Sequence, residues 1–247
     1  MSKTLHLTLR RQRLIRDDHG HNVWETVLEE RDVPATQTAL LLCDIWDKHW
    51  SRGACERLDA MIPRMNALVR ALREAGSLII HAPSDTMDYY ATSPARQRIR
   101  ELPRIDPPPP LEHEDPPLPI DAGDHGSDTG ELAPYKAWQH QHPGIEIDEA
   151  RDVISDDGRE IYAYLRSKEV LQTLIMGVHT NMCILNRSFG IKQIVRWGVP
   201  IALVRDLTDT MYNPAMLPYV SHEEGTELVI GYIEKFWCPT VWSRDLF

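Results

Sequence analysis

The apolar positions of this chain fall into three rhythms. From Leu5 to Val33 they alternate with polar ones: LHLTLRRQRLI and WETVLEERDV flank the turn-like DDHGHN. That alternation predicts a β-hairpin or a pair of peripheral strands ahead of the main fold. Next come continuous apolar runs stopped by acids or proline, TALLLCDIWD (Thr38–Asp47) and SLIIHAP, which suit buried parallel strands. Between them Leu58, Met61, Ile62, Met65, Leu68, Val69 and Leu72 recur at helical spacing, and Gly76 supplies a natural helix stop. The second half repeats the pattern. It predicts a strand at GIEID, a helix around Arg159–Lys168, a strand at LQTLIMG, and a helix Asn181–Trp197 closed by Gly198. A strand at PIALVRD, a helix at GTELVIGYIEKF and a short strand at PTVWS complete it. Alternating strands and helices imply an α/β fold, a three-layer doubly wound parallel sheet with helices on both faces. Residues 1–34 are then an N-terminal β extension and residues 35–247 one α/β domain.

Residues 103–134 break this rhythm. PRIDPPPPLEHEDPPLP and DAGDHGSDTGELAP are too rich in Pro, Gly and Asp for core elements, so they form a long insert over one edge of the domain. The bulk numbers narrow the function classes. The chain has 247 residues, 42% of them hydrophobic, and a net charge of −10. It can therefore bury a sizeable core, and nonspecific binding to nucleic acid or to anionic membranes is disfavoured. No stretch approaches the ~20 apolar residues of a membrane span or has the form of a leader, so a cytoplasmic protein is expected. Four cysteines without metal-ligand or disulfide spacing are expected to be reduced.

In an open parallel sheet, ligands collect at the carboxyl ends of the strands. Three predicted strands deliver polar residues there: Asp44, the segment His81–Asp85, and the turn His179–Cys183. A thiol at a helix start meets free N–H groups and the positive end of the helix dipole, which favour thiolate. The same N–H groups suit an oxyanion, and Asp44 could accept and return the proton. Spacing alone is weaker than this chemistry, because a single cysteine after an apolar strand is more often packing, and an aspartate there more often a cap.

The segments ALLLCDIWD, SLIIHAPSD, TLIMGVHTNMC and VRWGVPIALVRD, and above all the G-V-x-T-x-x-C turn from Gly177 to Cys183, resemble the isochorismatase-like cysteine hydrolase superfamily. Nicotinamidases and N-carbamoylsarcosine amidase are members of it. The resemblance spans about residues 38–236. It implies a six-stranded parallel sheet of Rossmann-like topology and an Asp–Lys–Cys triad that hydrolyses amides, although some members cleave an enol ether without the thiol. Carried across, Asp44 is the proton-handling acid and Cys183 the nucleophile. A non-proline cis peptide falls at Val178–His179, and the N–H groups of His179 and Cys183 form the oxyanion hole. For the lysine the candidates are Arg151, in IEIDEARDVISDDG, and Lys136, in APYKAW. Arginine stays charged and cannot shuttle a proton, but it can act electrostatically.

The metal-binding Asp-x-His pattern of nicotinamidases reads SDTMDYY here. His49, His81 and Asp85 make no clear ligand set, so no metal and no other cofactor is expected. Trp46, Trp50, Asp85 and Tyr89 are candidate pocket residues, fitting a flat or ring-containing small molecule. The leading expectation is a cysteine hydrolase cleaving the C–N bond of a small amide through a thioester on Cys183. The alternatives are a catalytically impaired binding protein of the same fold and an enol-ether hydrolase using Asp44 as the acid. The hairpin has no partner in the α/β unit as drawn, so a homo-oligomer in which the hairpin or the insert reaches a neighbour is expected.

Overall fold

A computed structural model describes residues 3–246. In chain order the elements are β1 (Thr4–Arg16), β2 (Asn22–Pro34), β3 (Thr38–Cys43), α1 (Arg52–Ala75), β4 (Leu78–Ala82) and α2 (Pro94–Arg100). They continue as β5 (Val153–Ile154), α3 (Gly158–Ser167), β6 (Gln172–Val178), α4 (Cys183–Asn186), α5 (Ile191–Arg196), β7 (Ile201–Asp209), α6 (His222–Phe236) and β8 (Thr240–Val241). The sheet order is β2-β1-β8-β7-β6-β3-β4-β5. Strands β3 to β8 are parallel, as a doubly wound α/β sheet requires.

Along β3 the side chains alternate between two cores, because successive residues of a strand face opposite sides. Ala39, Leu41 and Cys43 join residues of α3, α5 and α6. Leu40 and Leu42 join α1 residues such as Met65 and Leu72. From β3 the chain first builds outward through β4 and β5, then returns to the other side of β3 with β6. Between β3 and β6 the winding reverses, and the crevice at such a switch point is where ligands bind. Asp44 follows β3 and Cys183 follows β6.

Three expectations change. The hairpin does have a partner in its own chain: β1 pairs antiparallel with β8 at Arg10 and Thr240, widening six parallel strands to eight. Leu5, Leu7 and Leu9 are buried, and Arg10 and Gln12 both donate to Glu234 of α6 at 2.6 and 2.9 Å. GIEID is not a strand. Ile145 is buried from irregular backbone, and the strand beside β4 is the two-residue β5. The helix Asn181–Trp197 is two short helices, α4 and α5, separated by Arg187–Gly190.

The insert at 103–134 contains no helix or strand, yet it is tied down. Leu111 N–H donates to Arg196 O at 2.8 Å, the His113 ring stacks on Trp237 at 4.2 Å, and Asp115 accepts from Lys192 and Tyr232. It therefore lies along α5 and α6. Among the described residues, no helix is long and apolar enough to cross a membrane.

Candidate active site

The crevice is shaped first by backbone. Gly177 has φ +122°, and a Cβ there would overlap the Cys43 carbonyl. Only glycine lets β6 run this close to β3 in that conformation. The β6–β7 register shifts at the same place, between Ile175 and Gly177. Immediately after, the Val178–His179 peptide is cis, as the resemblance implies. The His179 carbonyl then accepts from Met182 N–H and Ile184 N–H at 3.0 and 3.2 Å, curling the chain so that Cys183 opens α4. Thr180 N–H donates to Asp209 O at 2.8 Å, and the Asn181 side chain is paired with the Met211 backbone at 2.9 and 3.0 Å. The turn is held to β7 on one side and to α4 on the other.

Asp44 is fully buried, with φ +50°, a conformation aspartate tolerates better than most residues. Its N–H donates to Ala82 O at 3.0 Å, and its Oδ1 accepts from Ser84 N–H at 2.8 Å. Both contacts bind the end of β3 to the end of β4. The other oxygen, Oδ2, accepts from Arg187 Nε at 2.7 Å, and Cys183 lies close enough to this carboxylate for each to shift the other's titration. Cys183, Asp44 and Arg187 therefore form one electrostatically coupled unit.

The electrostatics of the unit follow from its burial. Burial raises the Asp44 pKa, opposed by Arg187, the Cys183 thiol and Ser84. Burial and the Asp44 charge push the Cys183 thiol well above its ordinary range. Arg187 and a hydrogen bond from the His179 backbone pull only partly the other way. The carboxylate beside the sulfur thus favours its protonated form. Burial and Asp44 work against the thiolate expected from a helix start, and α4 is a single turn. Burial alone would lower the Arg187 pKa, but Asp44 and Cys183 carry it above its usual value, so it remains a cation.

Arg187 was not among the basic residues the sequence suggested. Arg151 is exposed and pairs with Asp148 Oδ2 at 2.6 Å; it takes no part in the unit. Lys136 comes nearer, with Nζ donating to the Asp85 carbonyl at 2.5 Å, but it meets neither Asp44 nor Cys183. The residue that follows β5 is Ser155, hydrogen-bonded to Glu160, so that strand end supplies no cation either. The cation comes instead from the segment of Cys183 itself, four residues after the cysteine. Asp85, with φ +64°, accepts from Arg187 at 3.3 Å and so borders the unit.

Aromatic rings gather beside the turn. Trp46 stacks on Trp138 at 4.0 Å and donates through Nε1 to Ser84 O at 3.1 Å, and the Arg187 guanidinium lies 5.8 Å from its ring. His49 bridges this stack to Trp50 at 5.3 Å and to His179 at 4.8 Å. Burial lowers the pKa of His49 to about 4 and that of His179 to about 3, so both rings are neutral. Tyr89 is exposed and packs on Tyr90 and His140. The residues weighed as metal ligands do not converge. His81 is engaged by Gln141 and Asp152 at 2.9 and 3.1 Å, and Asp85 by Arg187. His49 stands in the aromatic stack.

No protein-family model and no curated protein matches the chain. Solved structures do. It is similar to a cysteine hydrolase from Pseudomonas syringae pv. phaseolicola 1448A, with TM-score 0.54 and 16% identity over 86% of this chain and 92% of that one. It is also similar to an isochorismatase from Pseudomonas putida KT2440, with TM-score 0.53 and 13% identity over 86% and 91%. The chain has the isochorismatase-like fold.

Proposed function

We propose that this chain, with its isochorismatase-like fold, is a cysteine hydrolase that cleaves the C–N bond of a small amide. The observation that carries this reading is the site in which Cys183 sits beside the buried Asp44 carboxylate and Asp44 accepts from Arg187 at 2.7 Å. A solitary packing cysteine needs neither a carboxylate nor a cation.

As sulfur attacks the amide carbon, its proton passes to Asp44, so no free thiolate has to persist in the desolvated pocket. The carbonyl oxygen becomes an oxyanion and is met by the N–H groups of His179 and Cys183. When the C–N bond breaks, Asp44 returns the proton to the departing nitrogen, leaving a thioester on Cys183. Water then attacks the thioester carbon, gives its proton to Asp44, and the thiol is regenerated with the acid product. Arg187 moves no proton. It keeps Asp44 ionised in the ground state and offsets charge on sulfur during attack. The aromatic wall of Trp46 and Trp138 suits a flat substrate.

One observation favours a second reading. Burial raises the Asp44 pKa, which suits an acid that donates to an enol ether while the thiol stands by. The two readings separate in Cys183→Ala, which loses amide hydrolysis but would retain enol-ether hydrolysis.

The pH dependence has a definite sign. Asp44 must be ionised to take the thiol proton, so kcat/KM for an amide rises with pH through the Asp44 pKa. Arg187 lowers that pKa. Arg187→Met therefore moves the midpoint of the acid limb to higher pH and reduces the plateau. A pH–rate profile of the two proteins checks this, and an unmoved acid limb would separate Arg187 from the chemistry.

A further inference from the structure

The recess at Cys183, about 330 Å³, is bordered by Asn186 and Arg187. Both residues also line an open groove of about 1150 Å³, which the Pro107–Pro110 run walls and which reaches Arg159. Arg104, Asp106, Asp157 and Arg159 then border a further hollow of about 320 Å³ beside the end of α2. The three spaces share walls, so a path leads from the sulfur to the start of α3.

The start of α3 is fastened to the segment of Cys183. Arg187 N–H donates to Cys183 O at 3.0 Å, and Oγ of the next residue, Ser188, accepts from Gly158 N–H at 3.0 Å. A Cβ on Gly158 would overlap Ser188 O, so a larger residue would push the two segments apart. Arg159 is the residue that follows. Backbone contacts therefore set its place relative to Cys183.

The charges along this path are unequally engaged. Arg187 is held by Asp44 and Asp85, and Arg104 meets Asp106 at 2.8 Å in an exposed pair that contributes little. Asp157 accepts from the N–H groups of Arg159 and Glu160, Asp156 accepts from Asp85 N–H, and Glu160 pairs with Arg96. Of the arginines lining the large groove, only Arg159 has a side chain with neither an ion pair nor a hydrogen bond among the described residues. Arg100, on the further hollow, is likewise exposed and unpaired. A guanidinium is always charged, and its planar fork of donors matches a carboxylate. In a chain of net charge −10, two free arginines at one end of the path to the thiol are a local exception.

We infer that the substrate is an amide that also carries a carboxylate, with the amide at Cys183 and the carboxylate paired with Arg159. The inference rests on the hydrolase reading and names its substrate class, the monoamide of a dicarboxylic acid. The proline wall then lies along the methylene chain between the two ends.

The test compares succinamate, glutaramate and adipamate with the neutral diamides of the same lengths. Ammonia release gives kcat and KM, and calorimetry with the Cys183→Ala protein gives binding without turnover. At the best-fitting length the monoamide has a kcat/KM about tenfold above its diamide, although the diamide offers two reacting ends. Arg159→Gln removes that preference through KM, Arg159→Lys keeps part of it, and Arg159→Glu inverts it. Arg166→Gln, at the other end of α3, leaves the preference as it is, which separates a local pairing from overall charge. Both arginines are exposed, so thermal melts stay unchanged. Added salt weakens the preference in the wild type. Equal kcat/KM for monoamide and diamide at every length, or a preference that survives Arg159→Gln, overturns the proposal. If no probe releases ammonia, but Cys183→Ala binds the monoamide more tightly and only with Arg159 present, the groove stands and the hydrolase reading falls. If binding shows no preference either, the groove falls.

Discussion

Cys183→Ala abolishes amide hydrolysis, lowering turnover by about 10⁴-fold or more, while the protein still folds. No other thiol can stand in. Cys43 is buried with its sulfur toward Val178 O at 3.9 Å, and Cys238 is buried beside β8. Cys55 is closed onto the His49 backbone, accepting at 3.2 Å and donating at 3.4 Å. The fold survives because alanine keeps the Cβ and is a good helix former at the start of α4. Only a half-buried sulfur is removed. Ammonia release measured beside a thermal melt checks both halves of the statement. Wild-type turnover in the variant would remove Cys183 from the mechanism and leave the fold assignment untouched.

Asp44→Asn lowers kcat by about 10²-fold or more. Asparagine has the same shape, and its oxygen can still accept from Ser84 N–H. It cannot take the thiol proton, and one of its two terminal atoms is now a donor. A donor facing Arg187 or the thiol loses the interaction that the carboxylate made with both. The loss therefore falls on kcat more than on KM. Unchanged kcat and kcat/KM under matched conditions would reduce Asp44 to a structural tie between the ends of β3 and β4.

The layers of the fold were legible wherever burial imposed a period. TALLLC and LQTLIMG read as strands because both faces of those strands are covered, and the α1 stripe read as a helix because one face meets the sheet. β5 was not legible, since two residues carry no period. The neighbouring GIEID imitated a strand because Ile145 is buried from a loop. The helix drawn over Asn181–Trp197 missed its break because Arg187–Gly190 has no proline. What interrupts it is tertiary packing: Ser188 O lies where a Cβ on Gly158 would sit, so the loop is pressed against the start of α3. The hairpin was legible as a hairpin, but its docking depends on one bridge to β8 and on Glu234, which are distant in sequence.

The site divides the same way. Asp44 and the His179–Cys183 turn lie at strand ends, so topology alone brought them together. Arg187 lies after the Cys183 turn, whereas the resemblance directs attention to basic residues ahead of β6, Arg151 and Lys136. The available signal was its spacing, four residues after Cys183 on a predicted helix, which places both on one face. Helix-start electrostatics favour a thiolate at Cys183, whereas desolvation and the neighbouring Asp44 oppose it, and the second pair of effects is not visible in the spacing.

The central claim is that Cys183 carries the acyl group of an amide substrate. The most direct measurement is mass spectrometry of protein quenched in acid during turnover of a primary amide that it hydrolyses. The account predicts that the peptide containing Cys183 gains the mass of the acyl group, and that the gain disappears in Cys183→Ala and on chasing with hydroxylamine. Sustained ammonia release with Cys183 unmodified at every quench time would contradict it.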